Sequence, residues 1–171
     1  LRNLIEVDTV SMHTALMQDA GACILLDFAS AFPSVSQEYV FSTLESIGVP
    51  GNALHFLKAL YDESYCRIRH AGAQGSDFFL GSGVRQGCPL SSVIFILVTD
   101  CINNFLRKSL LDRDELWIYA DDTACLLHSI WDSIPILQDC LTKIGRACAL
   151  IINASKCVLI PLWPQSLQEV K

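Results

Sequence analysis

Three aspartates stand at the ends of apolar runs, where carboxylates are unusual. Asp121 and Asp122 lie between residues 116–118 and 124–127, the pattern of two strands joined at a tight hairpin. Asp27 closes another apolar run. Adjacent carboxylates repel each other and are costly to desolvate unless a cation neutralises them, and hard divalent ions such as Mg²⁺ prefer oxygen ligands. The three acids therefore predict a divalent-ion site if the fold brings them together.

Each acid also has an ordinary structural explanation. Paired aspartates are common in turns, where the side chain bonds its own backbone, and Asp27 could cap a following helix. However, both runs are almost continuously apolar, which is typical of strands buried at the centre of a sheet. The joint pattern favours the ion site over three unrelated turn residues.

Composition and charge set limits on the class of protein. The chain has 171 residues, 51% of them hydrophobic, which is enough for one domain with a core. No uninterrupted apolar stretch approaches the length of a membrane span and no leader opens the chain, so we expect no membrane partner. A net charge of −6 argues against a self-sufficient nucleic-acid binder. Either nucleic acid is not the partner, or the basic surfaces lie on parts missing from this chain.

Eight cysteines are scattered through the apolar runs without Cys-x-x-Cys spacing or nearby histidines. Zinc sites require clustered ligands, so this distribution does not favour one. It predicts reduced core cysteines in an intracellular protein.

Hydrophobic periodicity and breaker residues predict an α+β fold. We expect helices and strands to interleave, several strands to pair as hairpins, and the helices to lie on one face of an antiparallel sheet. The predicted helices cover residues 3–18, 34–47 (opened by a capping box at Ser34), 50–60, 90–106 and 132–149. The predicted strands cover residues 22–27, 65–69, 77–80, 116–119, 124–127, 150–152 and 157–160.

Four segments resemble, in order, the palm motifs of reverse transcriptases. They are LDFASAF (26–32), GVRQGCPLS (83–91), YADD (119–122) and INASK (152–156). The second is similar to the non-LTR, LINE-type retrotransposon branch. Pro33 and Ser92 depart from that branch, which most often has Asp and Pro there. Four motifs in order make a much more specific match than any one alone.

The resemblance implies an RNA-directed DNA polymerase that adds dNTPs to a primer 3′-hydroxyl during retrotransposition. Asp27, Asp121 and Asp122 would hold two Mg²⁺ ions, with Mn²⁺ as a possible substitute. Lys156 would serve the leaving pyrophosphate as a proton donor or charge partner, unless it is a solvated strand-end lysine. One alternative is a catalytically inactive, reverse-transcriptase-like module retained for nucleic-acid binding or as a scaffold, and another is an unrelated acidic α+β domain. Among active polymerases, a telomerase-like or group II intron relative is the alternative to the LINE branch.

The resemblance also implies contacts to the nucleotide and primer. Phe32 corresponds to the aromatic residue that crowds the sugar 2′ position and excludes ribose; an ordinary core Phe is the alternative. Phe28 belongs to the same expected nucleotide site. Tyr119 would pack under the primer terminus, although a strand Tyr beside a turn needs no function.

The loop before the 90–106 helix is expected to reach the incoming nucleotide and the template. Gly87 would allow close backbone approach and Gln86 would make contact, whereas a plain loop-to-helix junction is the alternative. For Arg85 the sequence leaves a template contact and a solvent-facing position equally open.

The same resemblance divides the chain into three parts. Residues 1–20 would end the fingers-side segment, 21–161 would form the palm, and 162–171 would link to a thumb. The expected partners are an RNA template, a DNA primer, dNTPs, and the missing fingers and thumb of the same polyprotein. The expected location is intracellular, in the nucleus, the cytoplasm or both.

Overall fold

The structure, a computed structural model, describes residues 2–17, 20–119 and 122–163. Helices and strands alternate along the chain, as the sequence predicts. The helices are α1 (Arg2–Leu16), α2 (Ala31–Ser34), α3 (Gln37–Ser46), α4 (Gly51–Tyr61), α5 (Pro89–Ser109) and α6 (Ile130–Cys148). The strands are β1 (Ala22–Leu26), β2 (Tyr65–His70), β3 (Ala73–Phe79), β4 (Glu115–Tyr119), β5 (Asp122–Leu127) and β6 (Val158–Pro161).

Four strands form one antiparallel sheet in the order β4-β5-β1-β6. β1 is paired along both edges, with Ile24 opposite Cys125 on one side and Leu159 on the other. A central strand has no solvated edge, which explains why its run is apolar at almost every position. The predicted antiparallel sheet is confirmed.

The core lies between this sheet and helices α3, α5 and α6. Alternate β1 residues Ile24 and Leu26 face it, and Phe95 and Val98 of α5 are almost completely buried there. α5 contributes a stripe at helical spacing that runs its whole length: Ser91, Ile94, Phe95, Val98, Ile102 and Leu106. An amphipathic helix stabilises a sheet by covering one apolar face, and these three helices do so.

The opposite face of the sheet is partly covered by α1. Cys23, which points away from the main core, is buried and hydrogen-bonded to Ser11 of α1, and Thr14 of that helix is also buried. The expectation that helices lie on one face therefore describes α3, α5 and α6, while α1 contacts the other face, where Ser11 lies against Cys23 near the start of β1. The helical stripe of α1 did not indicate which face it would cover.

Two predicted element boundaries are wrong for local reasons. Ser36, not Ser34, caps α3: its hydroxyl accepts from the Tyr39 N–H at 3.3 Å, whereas Ser34 ends the short α2. Residues 150–152 do not form a strand but a single bridge between Ile152 and Phe28, because the chain turns at once into the 153–157 segment.

The hairpin β2–β3 forms a separate two-stranded sheet. Nearly all of its residues are exposed, including Tyr65, Ile68 and Phe79. An exposed bidentate pair joins Arg67 to Asp77 at 2.6 Å. The sequence predicted this hairpin, but its isolation from the core could not be seen in its alternating pattern.

Within the described residues, α5 has the length and mean hydropathy of a membrane span, 1.5 over 18 residues, with 33% of that window buried. A core helix meets the same criterion, and α5 packs a full-length stripe into the core. All eight cysteines are free thiols, and Cys23, Cys125, Cys140 and Cys148 are buried.

Candidate active site

Two of the three predicted acids lie on neighbouring strands at the same end of the sheet. Leu26 pairs with Thr123, so continuing the antiparallel register by one residue sets Asp27 opposite Asp122. Asp122 in turn pairs with Tyr119 across the β4–β5 hairpin. Directly paired residues project from the same face of a sheet, so the carboxylates of Asp27 and Asp122 share one face. Asp121 lies outside the described residues.

A row of apolar side chains runs beside these acids on the same face. Trp117, Ala124, Leu25 and Val158 are paired across β4, β5, β1 and β6, one step further from the sheet end. Leu25 and Val158 are 41% and 48% exposed, respectively. The acids therefore stand at the edge of an open, largely apolar surface.

The carboxylate of Asp27 has one exposed and one buried oxygen. The buried oxygen, Oδ2, has no hydrogen-bond partner, and the nearest cation is Lys156 Nζ at 3.8 Å, beyond hydrogen-bond range. A buried ionised oxygen without a partner is costly unless a cation reaches it. Among the described residues no group of three His, Cys, Asp or Glu side chains gathers, but Asp27 and Asp122 supply the oxygen donors a hard divalent ion prefers. The donor chemistry fits such an ion.

The segment 153–157 holds the backbone of Asp27 on the side away from β5. The Asn153 N–H donates to the Asp27 carbonyl at 2.8 Å, and the Asp27 N–H donates to Cys157 Sγ at 3.4 Å. The turn is closed by the N–H groups of Lys156 and Cys157, which both donate to the Asn153 carbonyl. The motif spacing led to Asn153 and Lys156 but gave no reason to select Cys157.

A sharp turn after Asp27 brings Phe32 towards α5. Ser30 adopts a left-handed backbone with φ 51° and ψ 54°, which is rare for a residue with a Cβ and costs about 1 kcal/mol. Phe32 then stacks on Phe95, with ring centroids 4.1 Å apart and planes 17° from parallel. Phe32 is half-buried, so the residue is partly accessible although its ring is stacked on Phe95.

The glycine-rich loop is bound tightly to the segment that contains Phe32. Val84 N–H donates to the Phe32 carbonyl at 2.9 Å, and Gly83 N–H donates to the Val35 carbonyl at 2.7 Å. Gly83 has φ +77°, and a Cβ there would lie 2.5 Å from the Pro33 carbonyl oxygen. Only glycine fits this contact, which fixes the two predicted motifs against each other.

Beyond that contact the loop becomes open. Gln86 and Gly87 are exposed, and Gly87 has φ +83° with no atom within 4 Å of an added Cβ. Arg85 is exposed but not free: its guanidinium bonds the Ser64 hydroxyl and lies 5.8 Å from the centre of the Tyr61 ring. The sequence left a template contact and a solvent-facing position open for Arg85, and neither alternative included this contact. The hydrogen bond to Ser64 connects the loop to the residue before β2.

The remaining predicted residues occupy different surroundings. Phe28 packs against the main core and lines a small cavity with Phe95 and Thr123, on the face opposite to Asp27. The backbone of Tyr119 pairs with that of Asp122 in the β4–β5 hairpin. The nucleotide role of Phe28 and the primer role of Tyr119 stay predictions.

Next to the acids, the sheet interior is strongly desolvated. Burial, together with a smaller contribution from the charge of Asp114, raises the pKa of the Cys125 thiol from 9.0 to about 12. Burial also raises the pKa of the Cys148 thiol. The strands that carry the acids therefore pass directly from an ion-compatible end into an apolar interior.

Comparisons with known proteins place this architecture. The family described as reverse transcriptase (RNA-dependent DNA polymerase) matches residues 2–167. The chain is 12% identical to the apo telomerase of Candida tropicalis, with a TM-score of 0.72 over 94% of this chain and 32% of that one. Telomerase of Candida albicans, solved with a fragment of telomeric RNA, gives a TM-score of 0.70 at 15% identity over 96% of this chain and 31% of that one. These likenesses confirm the predicted palm fold.

Two sequence relatives come from mobile elements. The Xenopus laevis transposon TX1 149 kDa protein is 29% identical over 79% of this chain, and the Drosophila melanogaster Pol polyprotein of retrotransposable element R2DM is 26% identical over 98% of it. The aligned part amounts to 11% and 16% of those proteins, respectively. The chain belongs to the reverse transcriptase family, and these relatives confirm its resemblance to non-LTR retrotransposon proteins.

Proposed function

We propose that this chain is the catalytic palm of an RNA-directed DNA polymerase that acts in retrotransposition. The observation that carries the proposal is the pairing of strand ends that sets Asp27 and Asp122 on one face, with a buried Asp27 oxygen lacking a hydrogen-bond partner. Family membership supports the reaction type. The relatives are far longer than this chain. We propose that the whole protein supplies the surfaces for template and primer that this chain lacks.

Asp27, Asp121 and Asp122 are the proposed ligands of a divalent-ion pair. The family generally uses divalent metals, and we propose Mg²⁺, with Mn²⁺ as a substitute. When bound, such ions stabilise the charge on the entering and leaving oxygens of an in-line phosphoryl displacement. The role of the protein is to hold the carboxylates in fixed positions. For Asp27, β1 does this because the strand is paired on both edges.

Lys156 is the proposed partner of the departing pyrophosphate. Its side chain is 68% exposed and its Nζ lies 3.8 Å from Asp27 Oδ2, so it can move towards an anion beside the acids without losing a hydrogen bond. A lysine held there can donate a proton or neutralise charge on the leaving group. Substitution by Gln should slow the chemical step more than nucleotide binding.

Phe32 is the proposed residue that selects deoxynucleotides. Its stacking on Phe95 fixes the ring, and this half-buried, bulky side chain would clash with a ribose 2′-hydroxyl. Phe32→Ala should increase ribonucleotide incorporation about tenfold or more relative to dNTPs. An unchanged ratio would leave Phe32 as a packing residue only.

Gln86 and Gly87 are the proposed contacts to the incoming nucleotide and the template. Both are exposed, and the open space around Gly87 would allow a base or sugar to approach the backbone closely. The RNA template, DNA primer and dNTPs are the proposed partners, together with fingers and thumb from the same polyprotein. The location we propose is intracellular, in the nucleus, the cytoplasm or both.

The direct test is Mg²⁺-dependent primer extension by the full-length protein. Asp121→Asn and Asp27→Asn should each reduce extension by about a hundredfold to a thousandfold or more, because each removes a charged ligand without changing volume. Asp139→Asn provides the matched control, since Asp139 is an exposed α6 residue paired with Lys143. Normal extension by Asp27→Asn would contradict the proposed ion site.

A second candidate function is a catalytically inactive scaffold or nucleic-acid-binding module; the net charge of −6 favours the scaffold role for this piece alone, because phosphate contacts need Lys and Arg. The same experiment separates the two. A wild-type full-length protein that binds template and primer but extends nothing in Mg²⁺ or Mn²⁺ would establish the second.

A further inference from the structure

We propose that Cys157 is a positioning residue for the divalent-ion site, acting through the backbone of Asp27. The inference rests on the proposed function, because it concerns how the ligand Asp27 is held. Cys157 does not touch the reacting atoms. Its thiol sulfur instead accepts the Asp27 N–H at 3.4 Å, within the range of an N–H···S hydrogen bond.

The geometry explains why a thiol is needed at this point. In an antiparallel sheet the N–H and C=O of one residue point to the same neighbouring strand. Leu25 still pairs with Val158 of β6, but two residues later the chain has turned away into 153–157. The Asp27 carbonyl is satisfied by the Asn153 N–H at 2.8 Å, whereas its N–H finds no ladder carbonyl and takes the Cys157 sulfur.

This contact matters because Asp27 is the first residue after the central strand β1. On the β5 side, the preceding residue Leu26 is fixed by its pairing with Thr123. On the β6 side, the backbone of Asp27 is held by the 153–157 turn. Removing a group that orients a metal ligand lowers the affinity for the ion about tenfold or more. A substitution that loses the sulfur should therefore loosen the carboxylate and remove only a partial packing contact, since Cys157 is half-buried at the margin of the core.

The test uses ion-dependent thermal stabilisation of the full-length protein, with MnCl₂ as the probe. Cys157→Ala should raise the Mn²⁺ concentration for half-maximal stabilisation about tenfold, and Cys157→Ser should recover part of that loss because its hydroxyl can also accept. Cys101→Ala, at a half-buried α5 cysteine, is the matched control and should behave as wild type. Primer extension should show a lower kcat with an unchanged dNTP KM.

A second measurement needs no variant. Because an ion bound by Asp27 would hold its N–H against the Cys157 sulfur, Mn²⁺ should slow alkylation of Cys157 by iodoacetamide several-fold. The reaction is followed by mass spectrometry, and Cys66 in the hairpin should react at an unchanged rate. Equal midpoints for wild type and Cys157→Ala, or Mn²⁺-independent alkylation, would overturn the inference. If wild type itself shows no ion-dependent stabilisation, and Asp27→Asn is indistinguishable from it, the proposed function fails as well.

Discussion

The acid end of the four-stranded sheet and the hairpin β2–β3 are both antiparallel, yet they are held in opposite ways. At the acid end, β1 is paired on both edges and helices α3, α5 and α6 pack beneath it. The hairpin has only its own two strands, and side chains on both of its faces are exposed. A two-stranded sheet without further packing is marginally stable in water.

The difference shows what a site for exact positioning requires. Asp27 has both backbone groups satisfied, a fixed register to β5 and a buried layer below, so its carboxylate has few alternatives. Residues of the hairpin are constrained only by each other. A chemical group that must be held within a fraction of an ångström belongs on the first kind of support.

The largest expected difference in stability between the two regions comes from replacing a phenylalanine by alanine in each. Phe95→Ala should lower the free energy of unfolding by about 3–5 kcal/mol, because Phe95 is 1% exposed and supports Phe32. Phe79→Ala in β3, 54% exposed, should cost under about 1 kcal/mol. Urea unfolding of the two variants measures both. Equal losses would mean that the hairpin is packed as firmly as the core.

A matched glycine pair gives the next largest difference. Gly83 and Gly72 both have positive φ, +77° and +83°, so alanine strains either backbone by about 1 kcal/mol. Only at Gly83 would the new Cβ meet a neighbour, the backbone of Pro33, so Gly83→Ala should cost about 3 kcal/mol in total. Thermal unfolding of both variants checks this; similar shifts would show that the contact between the loop and Pro33 is soft.

Alkaline pH should weaken the sheet interior in particular. The pKa of the Cys125 thiol is raised to about 12, whereas the unfolded chain loses this proton near 9.0. The folded state therefore keeps a proton that the unfolded state releases, and the stabilisation present below pH 9 is lost as pH rises towards 12. The urea midpoint should fall from pH 8 to pH 10.5. Cys125→Ala should flatten that fall, while Cys66→Ala in the hairpin should leave it unchanged.

The smallest effect is expected at the ion pair of the hairpin. The Arg67 guanidinium lowers the pKa of the Asp77 carboxyl through a bidentate hydrogen bond, but both groups are exposed to water and screened by salt. Asp77→Asn should leave the urea midpoint at pH 7 and 0.15 M salt within experimental error. A clear decrease would show that the pair, and not side-chain packing, holds the hairpin together.

Much of the fold could be predicted because its signals are local. The apolar run of β1, the two hairpins and the stripe of α5 all follow from periodicity and turn residues. The predicted start of α3 was wrong by two residues because Ser34 and Ser36 can both act as an N-cap. In the structure Ser34 ends α2, which leaves Ser36 to cap α3. The isolation of β2–β3 could not be predicted, because alternation reports a strand but not what lies against it.

By itself, the sequence determined which residue types are available for chemistry: carboxylates at strand ends, a lysine after them and a glycine-rich loop. The tertiary structure alone decided that the register of β1 and β5 sets Asp27 opposite Asp122, that the Cys157 sulfur accepts the Asp27 N–H, and that Arg85 donates to Ser64. The physical reason is that residue type and spacing act along the chain. Contacts between segments separated along the chain, such as the hydrogen bond between Asp27 and Cys157, 130 residues apart, depend on how the strands and helices pack.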